Sequence, residues 1–253
     1  MWTRLIALPR FDLAVTCPLS IVFSFYWIYG LGMLFVDLTH SPAFIYRTKL
    51  QKRPFQVEGG LYNPPLRKLL WRSVTGQLST WLLVAAVRAT GIQPEPFEIT
   101  PDPPSAVRVL IEVTLMFSSE AVLFYFMHRL LHTPFLYRNV HRVHHEFKTP
   151  IALASTYAHP VETIMGNAFP VAFGPVLPWL LGLDTRVHLF SVYVFAVMGM
   201  RATMRGHSGY GTYHLPFDPR ARQPLFHDAH HRQIKGNFGN HGLLDFIFKT
   251  KLD

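Results

Sequence analysis

Residues 128–145 read HRLLHTPFLYRNVHRVHH, and every other segment of the chain takes its place from them. The five histidines form two clusters, His128-x-x-x-His132 and His141-x-x-His144-His145. A third cluster, His227-x-x-His230-His231 in HDAHH, repeats the second spacing near the C-terminus. Side chains three or four residues apart share one face of a helix, roughly 5–6 Å apart at Cβ. Two imidazoles so placed can close on one metal ion. The remaining histidine of H-x-x-H-H stays on that ion or reaches a neighbouring one. Neutral imidazole is the commonest protein ligand for zinc, copper, iron and nickel.

A single histidine is more often a core or surface residue than a ligand. Density argues otherwise here, because 13 of the 14 histidines fall between His128 and His241. The only cysteine is Cys17, so the expected donor set is nitrogen, with oxygen from water, Asn or a carboxylate. Structural zinc needs four ligands, and catalytic zinc three plus water. Eight clustered histidines therefore imply two metals. Imidazole ligands, open positions and a membrane setting point to two irons activating dioxygen. A zinc hydrolase is the rival reading, and it would leave ligands unused.

Outside the clusters, His207 in RGHSGYG joins as a ninth ligand. His159 in TYAHPVE is a tenth ligand or a residue that supports the ligands, the alternative being a cap at a helix start. His214 and His241 are weaker candidates, and His40 and His188 are read as structural. Asn237 and Asn240 in GNFGN read as a glycine-rich turn, the alternative being donors to a metal-bound water. No catalytic residue beyond the metal ligands is identified. No dinucleotide-binding glycine fingerprint is visible, so electrons must come from a partner.

The histidines are embedded in apolar sequence. Charged residues make up 15% of the chain, against about a quarter in an ordinary soluble domain. Residues 13–36 are uncharged and long enough to span a bilayer, which takes about 20 residues. This run is too long for a signal-peptide core and reads as a retained span. Further runs cover 72–88, 109–127, 163–183 and 187–200, the last two reading as a helical hairpin. The expected fold is all-α, a polytopic membrane protein with four to five transmembrane or re-entrant helices under a cytosolic histidine-rich di-metal cap. Residues 1–104 form a membrane anchor with a basic loop, and 105–253 the catalytic domain. Glu112 and Glu120 lie inside the third run, where carboxylates face protein or a polar cavity. They pair with Arg108, Arg129 or backbone donors, or Glu120 supports the metal site.

The net charge of +9 is spread over loops between apolar runs, which suits a membrane surface and not nucleic acid. Residues 38–73 hold seven Lys and Arg, whereas 88–104 hold Arg88 alone. The positive-inside rule places 38–73 in the cytosol. Counting spans puts the histidines there too if the second run crosses, and Arg129, Arg138 and Arg142 favour the same side if it is re-entrant.

HRLLH, HRVHHEF, YAHPVE, HSGY and HDAHH followed by GNFGN and DFIFKT resemble the fatty acid hydroxylase/sterol desaturase superfamily. The longer phrases FLYRNVHRVHHEFKTPIALASTYAHPVE and GHSGYG are most similar to its 4-methyl sterol monooxygenases. Ala121 and Thr156 stand where members usually carry acidic residues. The resemblance implies an endoplasmic reticulum enzyme with two irons. It implies electrons from NAD(P)H, delivered by a reductase and a b-type cytochrome, and stepwise oxidation of a methyl group on a sterol-like lipid. A desaturase or hydroxylase of acyl chains, a terpenoid oxidase, and a non-catalytic metal-binding membrane protein are the alternatives.

Overall fold

The computed structural model describes residues 6–52, 59–91, 97–182, 185–211 and 223–252 and is mostly helical. The first apolar run becomes α1, Cys17–Thr39, entered through a π-helical turn at Asp12–Thr16. It stops at His40, whose left-handed backbone (φ 57°) lets its N–H bond to the Val36 carbonyl. Helix α2, Pro64–Ala89, starts with two prolines in its first turn, and the Asn63 side chain accepts from Leu66 N at 3.1 Å. Strand β1 is Phe97–Glu98. Helix α3, Ala106–Leu131, is capped by Ser105, which accepts from Arg108 N at 3.2 Å.

The fourth run forms a π-helical turn, Thr163–Ala168, and then α4, Phe169–Leu180, with Pro175 and Pro178 inside it. Strand β2, Val187–His188, leads into α5, Leu189–Gly206. Helices α6, Gln223–Gln233, and α7, Leu243–Ile247, complete the chain. Both arms of the expected hairpin, α4 and α5, pack against α3, and α5 packs against α1 as well.

The expected all-helical architecture needs one correction. β1 and β2 pair in parallel, Phe97 opposite Val187 and Glu98 opposite His188. Arg108 fixes this corner by donating to Glu98 (2.6 Å), Glu112 (2.9 Å) and the Arg186 carbonyl (3.0 Å). Glu112 is therefore paired with Arg108, one of the partners its sequence position offers. Among the described residues, two helices have the length and hydropathy to cross a bilayer, Asp12–Thr39 and Ala106–Leu131. Their outward faces are apolar: Ile28 is 76% exposed and Leu110 68%. The other apolar runs form helices that are shorter or carry more charge.

One packed cluster lies under the histidines. Tyr26 of α1, Leu66 and Leu69 of α2, Phe147, Ile151, Leu153 and Tyr157 of the central connection and Met204 of α5 share it. The buried Tyr26 hydroxyl donates to the Leu153 carbonyl at 2.8 Å and lies 2.8 Å from Ser73 Oγ. Gly30 lets α1 approach closely, since a Cβ there would collide with Leu153. Lys49, a loop charge by its sequence position, is instead buried. It pairs with Asp37 at 2.7 Å and donates to the Ser208 carbonyl at 2.9 Å, beside His207. Tyr210 donates to the same Asp37 at 2.6 Å.

Candidate metal centre

Helices end where the histidines are needed. His128 occupies the last turn of α3 and His132 is its C-cap. A short helix at Pro134–Asn139 reverses the chain into a 3-10 turn, His141–Glu146. His207 is the C-cap of α5, and α6 presents His227, His230 and His231. Nine rings meet here in two groups. His128, His132, His141, His145 and His230 form one, and His144, His207, His227 and His231 the other. Within each group the ligand atoms lie within 4.8 Å of one another. The two triplets divide in opposite senses. His141 and His145 enter the five-membered group and send His144 to the other, whereas His227 and His231 enter the four-membered group and send His230 across.

The approach is through Nε2. In the first group the Nε2 separations are 3.1 Å for His128–His141, 3.3 Å for His128–His132 and 3.1 Å for His141–His145. In the second they are 3.1 Å for His144–His207, 2.8 Å for His207–His227 and 3.0 Å for His227–His231. Four of the distal nitrogens face backbone carbonyls. Nδ1 of His128 reaches Phe238 O (2.7 Å), His230 reaches Gly236 O (2.7 Å), His144 reaches Tyr157 O (3.0 Å) and His207 reaches Thr203 O (2.8 Å). A carbonyl only accepts, so Nδ1 in these four rings carries the proton and Nε2 a lone pair. His144 and His207 then point lone pairs at each other with no hydrogen between them. A cation removes that repulsion, and an all-imidazole donor set suits a transition metal. The residues present therefore fit a pair of metal ions.

The electrostatics agree. Burial first, and then the neighbouring rings, push His132 down to about 2 and His207 down to about 3. Burial pushes His144 down to about 4, against the pull of the Tyr157 carbonyl. His141, His145, His227, His230 and His231 are depressed well below the ordinary imidazole range, again mainly by burial. Imidazoles held neutral are the form that binds metal.

Some supporting groups carried little signal in the sequence. The GNFGN loop supplies the Gly236 and Phe238 carbonyls, so its role is to orient His230 and His128. Asp245 of α7, fully buried, holds that loop by accepting from Phe238 N (2.7 Å) and Gly239 N (2.8 Å). Asn237 adopts a left-handed backbone (φ 57°) and donates to the Phe226 carbonyl at 3.1 Å, in keeping with a turn. Asn240 donates to Glu120 at 3.1 Å, which ties Glu120 to the loop that orients the rings. Glu162 sits on the helical turn Pro160–Glu162, its Oε1 2.9 Å from His141 Nδ1. Burial raises the Glu162 carboxyl well above its ordinary value. The YAHPVE phrase contains Glu162, but nothing in its spacing separates it from a surface acid.

The remaining histidines among the described residues lie outside both groups. His159 caps that same turn, its Nδ1 accepting from Val161 N at 3.2 Å. His188 caps α5 by accepting from Phe190 N at 3.1 Å. His40 stacks on Tyr46, and His241 is exposed. His214 falls outside the described residues.

A family model described as fatty acid hydroxylase matches residues 113–250. Fatty acid hydroxylase domain-containing protein 2 of Homo sapiens is 32% identical over 89% of this chain and 63% of its own length. A very-long-chain aldehyde decarbonylase of Oryza sativa subsp. japonica is 40% identical over 57% of this chain and 53% of its own. A methylsterol monooxygenase of Arabidopsis thaliana is 37% identical over 58% and 54%. The chain thus spans between half and two thirds of these curated relatives. No solved structure matches it.

Proposed function

The chain belongs to the fatty acid hydroxylase family, and from that premise we propose that it is a membrane-bound di-iron monooxygenase oxidising a methyl group of a sterol-like lipid. The observation that carries the reading is the convergence of nine imidazoles into two groups. In this reading all nine, from His128 to His231, are iron ligands, and His159 acts through the backbone beside them. When bound, a pair of irons supplies two-electron activation of dioxygen and attack on an unactivated C–H bond. One oxygen atom enters the C–H bond and the other leaves as water, with two electrons and two protons from outside.

The chain's own groups orient and seclude. Carbonyls of Thr203, Tyr157, Gly236 and Phe238 hold four rings with Nε2 facing inward. Burial of His141, His144, His145, His230 and His231 keeps water from the reacting centre. The apolar outer faces of α1 and α3 suit lateral entry of a hydrophobic substrate from the bilayer, with only its reacting end reaching the rings. Arg129, Arg138, Arg142 and Lys148 are exposed on or beside the segments that carry the rings, a basic surface for an acidic electron carrier. A b-type cytochrome and its NAD(P)H-dependent reductase fill that role. Endoplasmic reticulum membrane, with the histidines toward the cytosol, is the proposed setting, and 1–104 and 105–253 are the proposed domain limits.

Names of the relatives favour one second reading, a hydroxylase or related oxidase of acyl chains. Membranes containing the protein, given a 4-methyl sterol, NADPH, the redox partners and labelled dioxygen, are expected to yield a 4-hydroxymethyl or 4-carboxy product labelled in the new oxygen. Oxygen drawn only from water would rule out monooxygenation. A labelled acyl chain with an untouched sterol would select the second reading, and a double bond without inserted oxygen a desaturase.

A further inference from the structure

Glu162 is a buried acid without a matching base. It is 4% exposed, and among the described residues its only ion-pair contact is His141 Nδ1, 2.9 Å from Oε1. Its Oε2 is buried with no protein partner. The N–H of His141 is not aligned for a linear hydrogen bond, so the contact is one of charge as much as of direction. A carboxylate in such a place is costly unless a positive charge answers it. Among the described residues no Lys or Arg does. The site is nonetheless built for it. His159 caps the turn that carries Glu162, and Gly166, one turn on, packs against Leu131, whose Cδ1 a Cβ there would press at 3.1 Å.

The neighbouring rings set the contrast. His128, His230, His144 and His207 turn their distal nitrogens to neutral carbonyls. Among the described residues, His141 is the one of the nine rings with a carboxylate against Nδ1, and it belongs to the five-membered group. An imidazole whose distal N–H faces a carboxylate is a stronger donor than one facing a carbonyl. The nearby acid Glu146 is occupied elsewhere, by Lys68 at 2.8 Å and the Tyr157 hydroxyl at 2.5 Å.

We propose that Glu162 is a positioning residue for His141 whose negative charge compensates the metal of the five-histidine group, so that the two metal positions are electronically unequal. This rests on the two-iron reading. The five-histidine position then holds its metal more tightly and is the harder of the two to reduce.

The test compares wild type with Glu162→Gln, which keeps size and removes charge, in detergent with ⁵⁷Fe. Wild type is expected to hold two irons with two distinct Mössbauer signals. In Glu162→Gln one signal shifts and that site's reduction potential rises, while the other site is unchanged. Chelator competition should show about 10- to 100-fold weaker binding at one site only. Glu162→Asp, which keeps the charge, should lie nearer wild type and carries the comparison where the Gln variant does not fold. Two irons in wild type with neither site altered in Glu162→Gln, or both altered alike, overturns the proposal and leaves the two-iron reading intact. An Asp variant no closer to wild type than Gln overturns it as well. Fewer than two irons in wild type overturns both.

Discussion

His144 and His230 are the rings of their triplets that each serve the group opposite their neighbours. Their removal should separate the two positions. His230→Ala takes one of five donors from the first group, and His144→Ala one of four from the second. Each variant is expected to retain the metal of the untouched group while losing most of the other, with activity falling at least about 100-fold, since loss of an outer-shell partner alone costs about 10- to 100-fold. Elemental analysis beside turnover checks this, and full retention of both metals in either variant contradicts the partition. The depressed rings give a second expectation. His144 lies near 4 and His207 near 3 when folded, against 6.5 for a free imidazole. As pH falls through 6.5 the unfolded chain takes up protons that the folded chain refuses. Stability is therefore lost from there down toward pH 4, a tenfold difference in proton affinity being worth about 1.4 kcal/mol. Metal-free protein should melt at progressively lower temperature from pH 7.5 to 5, and a flat profile would show that the rings are not held neutral. The nine rings are legible in the sequence because density and spacing carry the signal. Their division is not, since i, i+3 and i+4 spacing is the same in both triplets. Glu162 and Asp245 do not stand out there either, because an acid's burial depends on what packs over it.

Gly30 shows how elements bring the rings together. Its missing side chain lets α1 sit against Leu153 and Met204, and so against the segment between the 3-10 turn and α5. Gly30→Val is expected to force these apart at a cost of roughly 1–3 kcal/mol. It should lower the melting temperature and loosen the site, whereas Gly32→Val, with nothing within 4 Å of its Cβ, should be nearly silent. Equal effects would mean the close approach is unimportant. The helices are readable in advance because long uncharged runs leave few alternatives, and α1 and α3 follow runs 13–36 and 109–127 within a few residues. The β1–β2 pair is not readable, since two residues form no periodic pattern. Nor is the 3-10 winding of His141–Glu146, which follows from the reversal at Pro134–Asn139 and the packing of Phe147.

At the scale of the molecule, apolar faces of α1 and α3 point outward and the rings lie at the ends of α3 and α5, with α6 and the GNFGN loop completing the enclosure. The buried Asp37–Lys49–Tyr210 contact ties the end of α1 to the segment after His207, so the first long apolar helix and the ring cluster form one structure. That arrangement makes sense of a chain whose histidines sit on separate segments yet share a common centre. The proposed chemistry depends throughout on two metal positions. The most direct measurement is therefore the metal content of purified wild-type protein expressed with ample iron. Two irons per chain is the result predicted. One metal per chain, or none, would contradict it.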